Sequence, residues 1–84
     1  MKPPIYHIDA NNSGAWKRVL RDVAHRDLNT TIVAVESLLR VCPGTAWRIV
    51  DARTEVVIER GEVNAATGGI EWRVLREREA VAES

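Results

Sequence analysis

Apolar and polar positions alternate most regularly in the second half of the chain. Residues 46–51, 55–60 and 70–75 each place apolar side chains at every second position. A period of two is typical of a strand with one buried face. A tight turn around residues 52–53 joins the first two segments, and a longer loop, residues 61–69, precedes the third. The pattern therefore predicts three strands of an antiparallel sheet.

The same alternation predicts which side chains lie on each face of that sheet. The apolar set is expected to pack against a helix: Trp47, Ile49, Val56, Ile58, Ile70, Trp72 and Val74. Arg48 and Arg73 are expected on the opposite, polar face. Arg76 is grouped with them as a candidate extension of that face, but it lies close to the end of its strand, where alternation does not fix its direction.

The first half begins with a short β-prone segment, residues 5–9, followed by the turn-rich residues 11–14. Residues 15–27 have two interpretations. Their apolar positions fit a helical stripe, since Trp16 is followed at i+3, i+4, i+7 and i+8 by other apolar side chains. A strand would place Arg18 on the same face as Trp16, so the helix fits better. A strand that pairs with residues 5–9 remains the alternative.

Residues 30–42 predict a further helix. Asp27 and Asn29 offer capping groups before it, and Pro43-Gly44 ends it. Its expected apolar stripe is Ile32, Val35, Leu38, Leu39 and Cys42. The predicted fold class is α+β, with an antiparallel sheet of three to four strands packed against one or two helices. All 84 residues form a single domain, of which about residues 77–84 are a frayed acidic tail.

Composition narrows the classes of function. Twelve Lys and Arg balance twelve Asp and Glu, which argues against a basic field over the whole domain. A hydrophobic fraction of 45% excludes intrinsic disorder as the default. No apolar run is long enough to span a membrane, and the amino-terminal residues lack a signal-peptide core. We expect a cytoplasmic monomer or weak homodimer without contact to membranes.

The sequence gives little support for a catalytic or metal-binding site. His7, His25 and Cys42 lack the spacing of a zinc site, and no second cysteine exists. No serine lies in a nucleophile elbow, and Gly68-Gly69 is not followed by the lysine of a phosphate-binding loop. Cys42 is expected to be a small buried residue. We therefore expect no enzyme, no catalytic residues, no metal and no cofactor.

A protein-binding surface is the leading hypothesis. A sheet face that mixes arginine with glutamate offers directional, charge-assisted contacts, and a long loop on a rigid hairpin often carries recognition. The candidate partner-binding residues are Arg48, Arg73, Arg76, Glu71, Asn64 and Thr67.

The alternative is a small accessory protein that binds nucleic acid. If residues 15–27 are helical, one exposed face carries Lys17, Arg18, Arg21 and Arg26, and that face suits phosphate contacts. No aromatic residue alternates with these cations to stack on bases, and the glutamates of the sheet can pair with its arginines. A solvated charged face is thus the competing explanation.

The segment from Leu38 to Arg60 resembles a pattern in small uncharacterised bacterial and phage proteins. It combines a helix end, Pro43-Gly44 and a hairpin. In size, composition and α+β plan the whole chain resembles the anti-CRISPR group of phages and mobile elements. The resemblance implies a stoichiometric inhibitor that occupies a surface of a CRISPR effector complex. A neutral charge favours occlusion of a protein surface over mimicry of nucleic acid.

Overall fold

Over residues 3–75 the fold is an α+β arrangement of five antiparallel strands and one α-helix. The computed structural model describes residues 3–75. In chain order the elements are β1 (Ile5–Asn11), β2 (Lys17–Ala24), a 3₁₀ turn (His25–Asp27), α1 (Leu28–Val41), β3 (Ala46–Asp51), β4 (Val57–Val63) and β5 (Ile70–Val74). The strand order across the sheet is β2-β1-β3-β4-β5. The sheet thus has one strand more than the upper limit predicted from sequence. Arg76 and the tail at residues 77–84 lie outside the described residues.

The first strand, β1, lies inside the sheet because it pairs on both sides. It is antiparallel to β2 and to β3, so β2 and β3 run in the same direction on its two flanks. Strands that run in the same direction need a long connection, and α1 with its flanking turns supplies it. This connection places the helix on one face of the sheet, called the helix face below. The opposite face is called the outer face.

The helix packs with the stripe that its sequence predicts. Val35 and Leu39 are buried, and Ile32 packs beside them. Their partners on the sheet are Tyr6, Ile8, Trp47 and Ile49. Leu38 and Cys42 belong to the expected stripe but are exposed, because the buried contact is narrower than the apolar side of the helix. The expected burial of Cys42 is therefore wrong.

Residues 17–24 form a strand, so the preferred helical interpretation of this segment is wrong. The reason is that β2 is irregular. Its pairing with β1 shifts register twice, and Asp22 has a φ of 56°, in the left-handed region. Such bulges break the period of two, and charged and apolar side chains need not alternate strictly. Leu20 pairs with Ile8 although Arg18 and Arg21 lie close to it in the sequence. Strict alternation of apolar and polar residues therefore does not reveal this strand.

The boundaries of β4 also differ from expectation. Val56 precedes the strand and is 39% exposed, whereas residues 61–63, expected in a loop, continue the strand. A register shift lies where Val57 pairs with Val50. Beyond it, Gly61 pairs with both Trp47 and Trp72 on the helix face. A Cβ atom on Gly61 would lie 2.6 Å from ring carbons of Trp72, so the indole requires glycine there.

Candidate functional site

The strand register brings one side chain from each strand into a row across the outer face. Asp9 of β1 pairs with Arg18 of β2 and with Arg48 of β3. Arg48 in turn pairs with Arg60 of β4, and Arg60 pairs with Arg73 of β5. These five residues are called the arginine row. The core against the helix includes residues next to Asp9, Arg48 and Arg73 on their strands, namely Ile8, Ala10, Trp47, Ile49 and Trp72. The row therefore lies on the face opposite the helix.

Asp9 is the buried anion of the arginine row. It is only 2% exposed, and both carboxylate oxygens accept hydrogen bonds. Arg18 Nε donates to Oδ1 at 2.9 Å, and Arg48 Nε donates to Oδ2 at 2.9 Å. Burial raises the pKa of Asp9, but the combined hydrogen bonds and charges of Arg18 and Arg48 outweigh burial and hold this pKa below its usual value. The ionised carboxylate is thus part of the folded state.

Arg18 is committed to contacts within the chain. Besides Asp9, its Nη1 donates to Oε1 of Glu55 at 3.0 Å. The hydrogen bonds to Asp9 and Glu55 raise the pKa of Arg18 above its usual value, and the bond from Arg18 lowers the pKa of Glu55. Arg18 therefore joins β2, β1 and the β3–β4 connection, which is a structural role.

Trp16 lies against two arginines of the row. The guanidinium carbon of Arg48 is 4.4 Å from the centroid of the Trp16 ring, and that of Arg60 is 5.5 Å away. Both distances are within the range of a cation–π contact. Trp16 belongs to the connection between β1 and β2, so the contact holds this connection beside the middle of the sheet.

At the β4–β5 end of the arginine row, the positive charges have fewer carboxylate partners. Arg60 has its closest carboxylate contact to Glu62, where Nη2 and Oε2 are 3.7 Å apart, too far for a hydrogen bond. Arg73 is exposed, and within residues 3–75 it forms no ion pair. Like charges directly opposite each other are unfavourable, so the Arg60–Arg73 pair favours an anion that lies between them.

The loop after β4 is shaped by its own side chains. Asn64 Oδ1 accepts hydrogen bonds from the backbone amides of Ala66 and Thr67, at 2.8 and 3.3 Å. Asn64 Nδ2 donates to Oε2 of Glu71 at 2.9 Å, and Thr67 Oγ1 accepts a bond from the Gly69 amide at 3.2 Å. Three of the sequence-predicted partner residues, Asn64, Thr67 and Glu71, therefore meet in one ordered hairpin end.

The basic helix face of the alternative hypothesis does not form. Lys17 and Arg18 are successive residues of a strand, so their side chains leave opposite faces of the sheet. Arg21 is exposed on the same strand. Arg26 lies in the 3₁₀ turn, with its Nε 4.0 Å from a carboxylate oxygen of Asp27. The structure does not gather these four cations on one surface.

The histidines have local partners on the two sides of β1. His7 Nδ1 accepts a hydrogen bond from the backbone amide of Asp22 at 3.2 Å, and this bond supports the bulge of β2. The Tyr6 hydroxyl lies 2.9 Å from Nδ1 of His25. Among the residues that the structure describes, no group of three or more His, Cys, Asp or Glu side chains is arranged to hold a metal ion.

Asp9, Trp16 and Arg60 are the site residues that sequence reasoning missed. Asp9 and Arg48 are 39 positions apart, and nothing in their local patterns links them. Arg60 follows Val56 and Ile58 at a spacing of two residues, so simple alternation assigns it to the helix face. Only the register shift in β4 moves it to the outer face.

No helix within residues 3–75 is long and apolar enough to cross a membrane. Comparisons with protein-family models, curated proteins and solved structures give no match. Function must therefore be inferred from the chemistry of the outer face.

Proposed function

We propose that this chain is a non-catalytic protein-binding module, and that the β4–β5 half of its outer face docks an acidic surface of one protein partner. One observation carries the proposal: Arg60 and Arg73 are directly paired, both exposed, and neither is hydrogen-bonded to a carboxylate within residues 3–75. A partner carboxylate placed between them gains two charge-assisted contacts and relieves their repulsion.

The carboxylates beside the row favour a protein over a nucleic acid. Glu62 pairs with Glu71 in the adjacent position of the same face, so anionic and cationic pairs lie side by side on β4 and β5. A phosphate backbone that contacts the arginines would also meet these glutamates. A protein surface can present both signs of charge and match both pairs.

Arg48 and Arg73 have different roles in this proposal. Arg48 donates a hydrogen bond to Asp9 and lies against the Trp16 ring. Its replacement therefore affects the stability of the fold as well as partner binding. Arg73 makes no such contact within the described chain and can be replaced without loss of a buried bond. Asn64, Thr67 and Glu71 act by fixing the hairpin end next to Arg73.

An inhibitor of the anti-CRISPR kind is the form of this function that the size and plan of the chain suggest. Its partner would be a protein subunit of a CRISPR effector complex, bound by occlusion of an acidic surface.

The test begins with a photo-crosslinking amino acid at position 73, expressed in the native host, with the same group at position 40 as control. Arg40 is exposed on α1, on the opposite side of the molecule. We expect a discrete crosslinked protein from position 73 alone. The affinity of that protein should then fall at least tenfold in Arg73→Glu and stay unchanged in Arg40→Glu, which makes the same change of charge.

Two results would contradict the proposal. One is equal crosslinking from both positions. The other is a folded Arg73→Glu variant that binds the recovered protein as tightly as the parent. Weaker binding of nucleic acid in Arg26→Glu, with no effect of Arg73→Glu, would favour the alternative function instead.

A further inference from the structure

The two edges of the sheet differ in their ability to accept another strand. The β2 edge is interrupted by two register shifts and by the left-handed backbone of Asp22. The β5 edge is regular, since β5 pairs with β4 from Ile70 to Val74 without a shift. Bulges protect an edge from pairing, whereas a straight edge presents backbone amides and carbonyls in strand geometry.

The side chains along β5 give this edge a defined chemistry. On the outer face, Arg73 is exposed and lacks an ion pair within the described chain, and Glu71 is exposed two residues earlier. On the helix face, Val74 is 47% exposed at the rim of the core, in line with the half-buried Trp72 and Ile70. An added strand therefore meets a cation and an anion on one side and apolar groups on the other.

We infer that the partner binds by adding an extended segment to the sheet as a sixth strand along β5, an inference that rests on the proposed function. Its apolar residues alternate with polar ones and lie beside Trp72 and Val74. Its outer-facing residues include a carboxylate opposite Arg73. The position two residues away, opposite Glu71, carries a basic or neutral side chain, because like charges directly opposite are unfavourable.

This pattern specifies a probe. Two capped seven-residue peptides have valine at alternate positions, with glutamate and lysine two residues apart between them, in the order Glu-Val-Lys or Lys-Val-Glu. Each order matches one direction of the added strand. The controls are the same peptides N-methylated at alternate residues, in both possible phases. N-methylation removes backbone donors and keeps the charges, so one phase must block edge pairing.

The measurement is a titration of the isotope-labelled full chain by nuclear magnetic resonance. We expect one peptide order to shift the β5 amides more than the β2 amides and to slow their hydrogen exchange. We also expect one N-methylated phase to abolish these changes, and Arg73→Glu to weaken the peptide about fivefold. Arg40→Glu is the matched control and should leave the titration unchanged.

Three results would overturn the inference. The first is no change of β5 amides at millimolar peptide. The second is binding that is insensitive to both phases of N-methylation. The third is concentration-dependent shifts of β5 without any peptide, which would make a second copy of this chain the occupant.

Failure of this inference can be told from failure of the proposed function. If the peptides fail while Arg73→Glu still weakens the crosslinked partner, the outer face binds without strand addition. If Arg73→Glu leaves the crosslinked partner's affinity unchanged, the proposed function itself is wrong.

Discussion

The two halves of the outer face use the same residue type in different ways. In the β2–β1–β3 half, Asp9 accepts hydrogen bonds from Arg18 and Arg48, and His7 is buried beside it although no helix within residues 3–75 covers that face. In the β4–β5 half, Arg60 and Arg73 stand opposite each other and face solvent. Arg18 and Arg48 share a buried carboxylate and are structural groups. Arg60 and Arg73 have no hydrogen-bonded carboxylate within residues 3–75 and stay exposed, as the proposed recognition role requires.

The most severe way to break this contrast is Asp9→Asn. The substitution leaves two guanidinium groups without their shared carboxylate. We expect the free energy of unfolding, measured in urea, to fall by about 2–4 kcal/mol. This loss is smaller than for a fully buried ion pair because both arginines remain partly hydrated. Glu62→Gln in the other half is the matched control and should change stability by no more than about 0.5 kcal/mol. Equal effects in the two halves would contradict the distinction.

Gly61→Ala tests how the β4–β5 half is anchored to the core. The new methyl would lie 2.6 Å from the indole of Trp72, whose Nε1 donates to Oε2 of Glu36 on α1 at 3.0 Å. We expect a loss of about 1–3 kcal/mol from overpacking, measured by thermal or urea unfolding. Gly44→Ala, where an added Cβ meets nothing within 4 Å, should stay within about 0.5 kcal/mol of the parent. A neutral Gly61→Ala would show that Trp72 can move away freely.

Acid should weaken the β2–β1–β3 half through protonation of Asp9. The folded state lowers the pKa of Asp9, so this carboxylate stabilises the fold at pH values above its unfolded pKa of about 3.9. That contribution is lost as the pH falls through the lower folded pKa. We expect the stability difference between the parent and Asp9→Asn to be largest near neutrality and to shrink progressively below about pH 4. A difference that is constant between pH 7 and pH 2 would exclude an ionic role for Asp9.

Glu59→Gln gives the smallest expected effect and has the opposite sign. Glu59 pairs with Ile49 and lies on the helix face, where burial raises the pKa of its carboxyl group. The folded state therefore disfavours the ionised form at neutral pH. We expect a slight increase in stability at pH 7, within about 0.5 kcal/mol, which disappears on acidification. A loss of stability at pH 7 would point to an ionic contact of Glu59.

Local pattern predicted the parts of the fold whose period is regular. The stripe from Ile32 to Leu39 and the alternation of β3 and β5 are local signals, and the structure confirms the helix and both strands. The bulges in β2 and β4 change the period itself, so the helical interpretation of residues 17–24 and the boundaries of β4 were wrong.

The candidate site was less predictable than the fold because it depends on register. Alternation alone places Arg48 and Arg73 on the polar face, and the structure agrees. The hydrogen bond from Arg48 to Asp9 depends on which strands pair and in which register. The same holds for the pairing of Arg60 with Arg73. Sequence therefore indicated a mixed arginine and glutamate face, but not which arginines lack a hydrogen-bonded carboxylate.

A double-mutant cycle between Arg73 and the carboxylate to which position 73 crosslinks on the partner tests the central claim most directly. The affinities of both single variants and of the charge-swapped pair would be measured, with the stability of each variant checked by urea unfolding. We expect each single reversal to weaken binding at least tenfold. The swapped pair should recover affinity with a coupling energy of about 1 kcal/mol or more, while stability stays within about 0.5 kcal/mol of the parent. A coupling energy near zero between folded variants would contradict the assignment of Arg73 to recognition.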